Sequence, residues 1–312
     1  MSPRRIIIDT DPGLDDAVAI LLAFASPELE VLGLTAVAGN VPLTLTEANA
    51  RRLCELAGRR ETKVFAGCVR PLVRPLVTAE LFHGETGLDG ADLPPPTMAL
   101  QRQHGVDWLV DTIMAAPAGD ITLCALGPLT NIAMAFVKEP RLIPRLREIV
   151  IMGGAEASGG NVTPAAEFNI YCDPQAAYVV FTGGAPITLI PLDLTRQVLT
   201  TPERLARLRA IGSPVSRAVT GIIKFFNDRA GAEREGHLGP LHDPCVIAHL
   251  LQPDLFEGAA ARVQVDIHSE LTMGMTVIDR RLLDGDRANC TVLHAVDADG
   301  FYDLLTERLA RL

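Results

Sequence analysis

Short apolar runs alternate with helix-period patterns along nearly the whole chain, and this alternation limits the folds open to it. The strand-like runs are Arg4–Ile8, Val31–Ala38, Lys63–Ala66, Ile121–Leu126, Ile149–Met152, Ile187–Pro191, Arg262–Asp266 and Thr291–Ala295. The helical patterns are Leu14–Ala25, Leu43–Leu56, Val106–Ala115, Leu129–Val137, Pro174–Phe181, Pro202–Ile211, Pro214–Phe226, Pro244–Leu251 and Gly300–Leu312. Strand, helix, strand in repetition implies right-handed crossovers and a mainly parallel sheet. The composition agrees: 48% of residues are hydrophobic but only 4% are aromatic. Strands buried on both faces need such Ala, Val, Leu and Ile. No Pro/Gly/Ser-rich linker interrupts residues 1–312, so the expectation is α/β: a single-domain open, mainly parallel sheet with helices on both faces.

Four aspartates crowd the first strand-to-helix junction, Asp9-Thr10-Asp11-Pro12-Gly13-Leu14-Asp15-Asp16. One acid at a helix N-terminus is ordinary capping. Four repel one another unless some stay protonated or a cation neutralises them. The donors are all oxygen, which suits a hard ion, calcium or magnesium. Asp9 and Asp11 point the same way if the chain stays extended.

Other classes are disfavoured. The net charge of −10 argues against nucleic acid as a partner. The six cysteines (54, 68, 124, 172, 245, 290) are scattered without a Cys-x-x-Cys pair, so neither a zinc site nor a disulfide framework is expected, which favours a reducing, cytoplasmic setting. Asp9 and Asp11 end the first apolar run too early for a signal peptide, and Ala17–Ala25 is half a membrane span at most. No P-loop or Gly-x-Gly-x-x-Gly follows a strand.

Two stretches, Arg70 to Gln103 and Gly153 to Cys172, read as neither helix nor strand, and long ordered loops tend to be functional. Ligands in open α/β sheets bind beyond the carboxyl ends of strands. The aspartates, Ala38-Gly39-Asn40, Leu126-Gly127-Pro128 and Met152-Gly153-Gly154 all lie at such ends and can converge on one cleft. Leu241-His242-Asp243-Pro244 reads either as a helix N-cap with proline at the first helical position, or as a further cation ligand beside a proton-donating histidine. Asn161, Glu167 and Asn169 offer polar groups to a polyhydroxylated ligand, or are simply solvated. His83 sits in a loop. Asp173-Pro174 reads as a structural N-cap.

These motifs, in this order, resemble the inosine/uridine-preferring nucleoside hydrolase family along nearly the whole chain. The matching segments are Asp9 to Asp16, Ala38-Gly39-Asn40, Gly127-Pro128-Leu129-Thr130-Asn131, Met152-Gly153-Gly154, Glu167-Phe168-Asn169 and Pro240 to Pro244. The resemblance implies hydrolysis of a ribonucleoside to ribose and free base, with one calcium ion (Ca2+). By it, Asp11, Asp16 and Asp243 supply carboxylate ligands and Leu126 its carbonyl. Asp15, Asn40, Met152, Asn161, Glu167 and Asn169 hold the ribose, and Asp9 stands behind the ligands. Asp11 takes the proton of the attacking water, His242 protonates the leaving base and His83 lines the base pocket. A homodimer or homotetramer is implied as well.

The segment Phe225 to Glu235 departs from the family, whose inosine/uridine-type members carry tyrosines there. Purine against pyrimidine preference therefore stays open. Two other readings compete. A non-catalytic ribose or nucleoside binder would use the same scaffold. An aspartate-nucleophile phosphatase of the haloacid-dehalogenase type would share Asp9-Thr10-Asp11, but Pro12 and Gly13 do not fit it, and none of Lys63, Lys138 and Lys224 has a matching context.

Overall fold

The computed structural model describes residues 2–230, 239–283 and 287–312, with side chains of 229 and 230 excepted. One nine-stranded sheet runs through it in the order β3-β2-β1-β4-β5-β6-β9-β7-β8. Its strands are β1 (Arg4–Thr10), β2 (Leu29–Ala36), β3 (Val64–Ala66), β4 (Ile121–Ala125), β5 (Glu148–Met152), β6 (Ile187–Ile190), β7 (Phe256–Val265), β8 (Thr276–Asp279) and β9 (Cys290–Val296). The pairings from β3 through β6 to β9 are parallel, and β7 runs antiparallel to both β9 and β8. The mainly parallel α/β expectation therefore holds.

Residue alternation along β1 shows why both faces are covered. Ile6 and Ile8 enter one core, and Ile7 enters the other. The first core packs α1 (Leu14–Phe24), α2 (Leu43–Leu56), α10 (Pro214–Ala230), α11 (Pro244–Leu251) and α12 (Ala298–Leu309) against the sheet. The second packs α4 (Gly105–Ala115), α5 (Thr130–Lys138) and α7 (Pro174–Thr182). Helix α9 (Pro202–Ala210) lies against α10 and α12.

Three short helices and one strand were not expected. Helix α3 (Glu80–His83) lies inside the first long loop, α6 (Phe168–Cys172) inside the second, and α8 (Leu192–Thr195) directly after β6. Four or five residues are too few for a helical period to show. Strand β8 has one buried residue and three partly or fully exposed ones, so it carries little apolar signal. Strand β1 also runs two residues further than expected, which places Asp9 and Thr10 within the sheet. Among the described residues, no helix is long and apolar enough to cross a membrane.

Strand order reverses at β1, which lies between β2 and β4. That switch point opens a crevice at the carboxyl ends of β1 and β4, where Asp11 to Asp16 and Leu126 emerge.

Candidate active site

A cavity of about 410 Å³ opens at this crevice. Asp15, Asn40, His83, Leu126, Met152, Asn161, Glu167, Asn169, His242 and Asp243 all line it. Asp11 and Asp16 lie beneath the surface, fully buried. Ten of the twelve residues expected at the site thus face one cavity and the other two sit below it.

Pro12-Gly13 turns the chain out of β1 and into α1. The Gly13 N–H donates to Asp16 Oδ2 at 3.0 Å, and the Thr10 hydroxyl donates to the other Asp16 oxygen. The Asn40 N–H holds Asp11 Oδ2 at 2.7 Å, while the Asn40 amide donates to the Asp11 carbonyl at 3.1 Å and to Asp16 Oδ2 at 3.2 Å. Asp11 Oδ1 is buried with no partner. Asp9 Oδ2 accepts from Thr35 and Asn131, and its Oδ1 is likewise buried with no partner. Asp9 lies outside the cavity lining.

Asp243, at the start of α11, comes from the far end of the chain. It occupies the N-cap position with α-helical angles, yet its side chain caps nothing. Instead it hydrogen-bonds Asp16. Carboxylate oxygens of Asp15, Asp16 and Asp243 lie within 4.8 Å of one another. Burial pushes the Asp243 carboxyl well above the usual range, and Asp15 and then Asp16 add repulsion. Burial likewise raises Asp11, with Asp16 the next cause, and raises Asp16 to about 6, with Asp15 the next cause. Such groups hold protons or share a cation. An unpartnered Asp11 oxygen and clustered buried acids, all hard oxygen donors, fit a divalent ion.

Loop residues form the opposite wall. The Glu167 carboxylate caps α6, accepting from Asn169 N and Ile170 N, and also takes the Gly154 N–H at 2.9 Å. Burial raises it to about 7. Asn161 Oδ1 accepts from Phe168 N, which leaves the Asn161 NH2 group to donate. The Asn169 amide donates to the Leu126 carbonyl at 2.7 Å and to the Met152 carbonyl at 3.2 Å.

Two histidines stand at the rim. The Leu14 N–H donates to His83 Nδ1 at 3.1 Å, so the neutral His83 ring carries its proton on Nε2. His242 Nδ1 meets the Thr195 hydroxyl at 2.7 Å. Burial lowers the pKa of both rings, opposed by the Asp15 charge. The His242 ring is therefore a stronger acid when protonated.

Residues not singled out beforehand complete the lining, including Phe82, Arg196 and Ile222. Apolar side chains at helical spacing carry no mark that separates cavity wall from core. Of the departing segment, Phe226 and Asn227 line the cavity. Residues 231–235 of that segment lie outside the described residues.

Asp173 is the structural cap it was expected to be. Its carboxylate accepts from Ala176 N at 3.0 Å, Leu72 N at 2.8 Å and the Thr130 hydroxyl at 2.7 Å.

The profile of the inosine-uridine preferring nucleoside hydrolases matches residues 6–303. The pyrimidine-specific ribonucleoside hydrolase RihA of Shewanella sp. (strain MR-7) is 46% identical over 308 residues, covering 98% of this chain and 96% of its own. Among solved structures, the plant nucleoside hydrolase PpNRh1 superposes with a TM-score of 0.92 at 34% identity, covering 99% of each chain. The purine-preferring ribonucleoside hydrolase from Gardnerella vaginalis gives 0.92 at 30%, covering 98% of each. The chain belongs to the inosine-uridine preferring nucleoside hydrolase family and hydrolyses the N-ribosyl bond of ribonucleosides.

Proposed function

We propose that this hydrolysis depends on calcium and favours pyrimidine ribonucleosides. The observation carrying the calcium reading is the cluster of buried acids at the cavity floor, which no protein cation neutralises among the described residues and which leaves Asp11 Oδ1 unpartnered. Asp11, Asp16, Asp243 and the Leu126 carbonyl would hold the ion. When bound it supplies charge neutralisation and Lewis-acid activation of water. The pyrimidine preference is supported by the extent of the likeness to RihA.

The protein's own groups divide the remaining chemistry. Asp15, Asn40, Met152, Asn161, Glu167 and Asn169 grip the ribose and fix its anomeric carbon. Asp11 takes one proton of the attacking water, whose oxygen joins C1′. The surrounding carboxylates stabilise positive charge developing on the sugar. As the C1′–N bond breaks, its electron pair passes to the base. The base takes a proton from His242 Nε2, and the doubly protonated ring returns to neutral. His242 is recharged by the proton that the water released. His83 lines the base side. Direct attack by water inverts the anomeric centre.

Uridine, cytidine, inosine and adenosine, each assayed for reducing sugar with and without a chelator, test the reading. Fastest release from the pyrimidines, abolished by chelation and restored by calcium, is expected. Release that ignores the chelator, or an Asp11→Ala variant with undiminished rate, refutes the calcium mechanism. Tight nucleoside binding without any turnover would favour a binding protein instead.

A cytoplasmic homodimer or homotetramer belongs to the same reading. Exposed Met134 and Val137 on α5, beside exposed Tyr178 on the adjoining α7, support self-association. Analytical ultracentrifugation tests it.

A further inference from the structure

Helix α8 is only four residues long, yet Asp193, Thr195 and the C-cap Arg196 all make side-chain hydrogen bonds to other segments. Asp193 accepts the N–H groups of Glu156, Ala157 and Ser158 at 2.6 to 2.9 Å. Arg196 donates to the carbonyls of Ser158, Gly159 and Gly160. Between these two, Thr195 reaches the opposite way and meets His242 Nδ1 at 2.7 Å. The segment bearing His242 is pinned alongside, through Leu241 N to the Val198 carbonyl at 3.1 Å and Thr200 N to the Gly239 carbonyl at 3.2 Å.

The hydroxyl of Thr195 is fully buried. A helical threonine commonly turns its hydroxyl back to the carbonyl four residues earlier. Here that carbonyl, of Pro191, already receives the N–H groups of Leu194 and Thr195. Among the described residues His242 Nδ1 is the one side-chain partner of Thr195. A buried hydroxyl proton left without an acceptor is costly, so with a neutral ring it goes to Nδ1 and the ring proton sits on Nε2. With a protonated ring the roles exchange, and Nδ1–H turns to the hydroxyl oxygen. Nε2 carries an N–H in both of these states, and once it has donated, the remaining ring proton on Nδ1 faces the hydroxyl oxygen. Among the described residues Nε2 has no hydrogen-bond partner, and His242 lines the cavity.

We propose that Thr195 is a positioning residue that locks the His242 ring with its Nε2–H aimed at the leaving base. This rests on His242 being the leaving-group acid.

The test separates the two ideas. The nucleoside turned over fastest is compared with p-nitrophenyl β-D-ribofuranoside, whose nitrophenolate departs without a proton. Thr195→Val is expected to lower kcat on the nucleoside by ~10–100-fold, the range for losing a group that orients an active-site ligand, with KM unchanged and the nitrophenyl riboside still cleaved at its former rate. Thr195→Ser is expected to recover the nucleoside rate. Equal loss on both substrates, or no loss on either, overturns the role of Thr195. If His242→Ala slows both substrates alike, His242 is not the acid and the underlying reading falls. Nitrogen-15 spectra of histidine-labelled wild-type protein give a check independent of variant folding. A neutral His242 with its proton on Nε2 supports the proposal, and a proton on Nδ1 overturns it.

Discussion

The Asn169 side-chain amide donates to the Leu126 carbonyl oxygen at 2.7 Å, joining the end of β4 to the loop helix α6. This bond orients a backbone group that has no side chain of its own to steer it. Asn169→Ala is expected to lower kcat/KM by ~10–100-fold while the circular dichroism stays native. Leu126→Ala leaves the carbonyl in place and removes buried apolar volume, so it is expected to cost about 2–5 kcal/mol of stability with little change in rate per folded molecule. Urea titration and steady-state kinetics on both variants check the split.

Gly127 lies against the other side of the same site. A Cβ there would press into the Asp11 carboxylate, with Asp11 Cγ at 2.8 Å and the Asp11 N at 3.1 Å. Gly127→Ala is expected to displace Asp11 and reduce kcat by ~100-fold, the scale of a 1 Å misplacement. Kinetics together with a melting curve distinguish this from unfolding.

A cation held by the proposed acid cluster would bind the folded chain and not the unfolded one. Calcium at ~100 times its dissociation constant is therefore expected to stabilise the protein by about 2.7 kcal/mol. Chelation is expected to lower the melting temperature and abolish activity together. Asp243→Ala is expected to remove the calcium-induced rise, as read by differential scanning calorimetry.

His249, on α11, lies edge-on to Phe256 and its Nδ1 is buried without a partner. Burial lowers its pKa from 6.5, so the charged ring is disfavoured in the folded state. A depressed folded value means that this stability is present above pH 6.5 and is lost as pH falls through the lowered value. His249→Leu is expected to flatten the drop in urea midpoint between about pH 7 and pH 5. An unchanged slope would remove His249 as a source of acid lability.

Asp173 should separate stability from catalysis. Asp173→Ala removes the α7 cap and the acceptor for Leu72 N and the Thr130 hydroxyl. A cost of about 1–3 kcal/mol is expected, with kcat unchanged.

Two Asp-Pro pairs show how far local sequence reaches. Asp173-Pro174 and Asp243-Pro244 read alike, as an acid before proline at a helix start, and both do begin helices. Asp173 caps its helix and Asp243 does not, because Asp243 meets Asp16 from the other end of the chain. No window of neighbouring residues contains that meeting. The same holds for Thr195, whose partner His242 is 47 residues away.

The linear order of residues determined the alternation of strands and helices, the crowding of acids after β1 and the Pro12-Gly13 turn, because each depends on neighbours a few positions apart. Apolar periodicity and turn chemistry act over that range. Only the tertiary structure decided which aspartates come together beside the cavity, that Asp9 lies outside its lining and which hydroxyl meets His242. Those outcomes depend on strand order reversing at β1 and on burial, which strips water from acids and histidines that the chain keeps far apart.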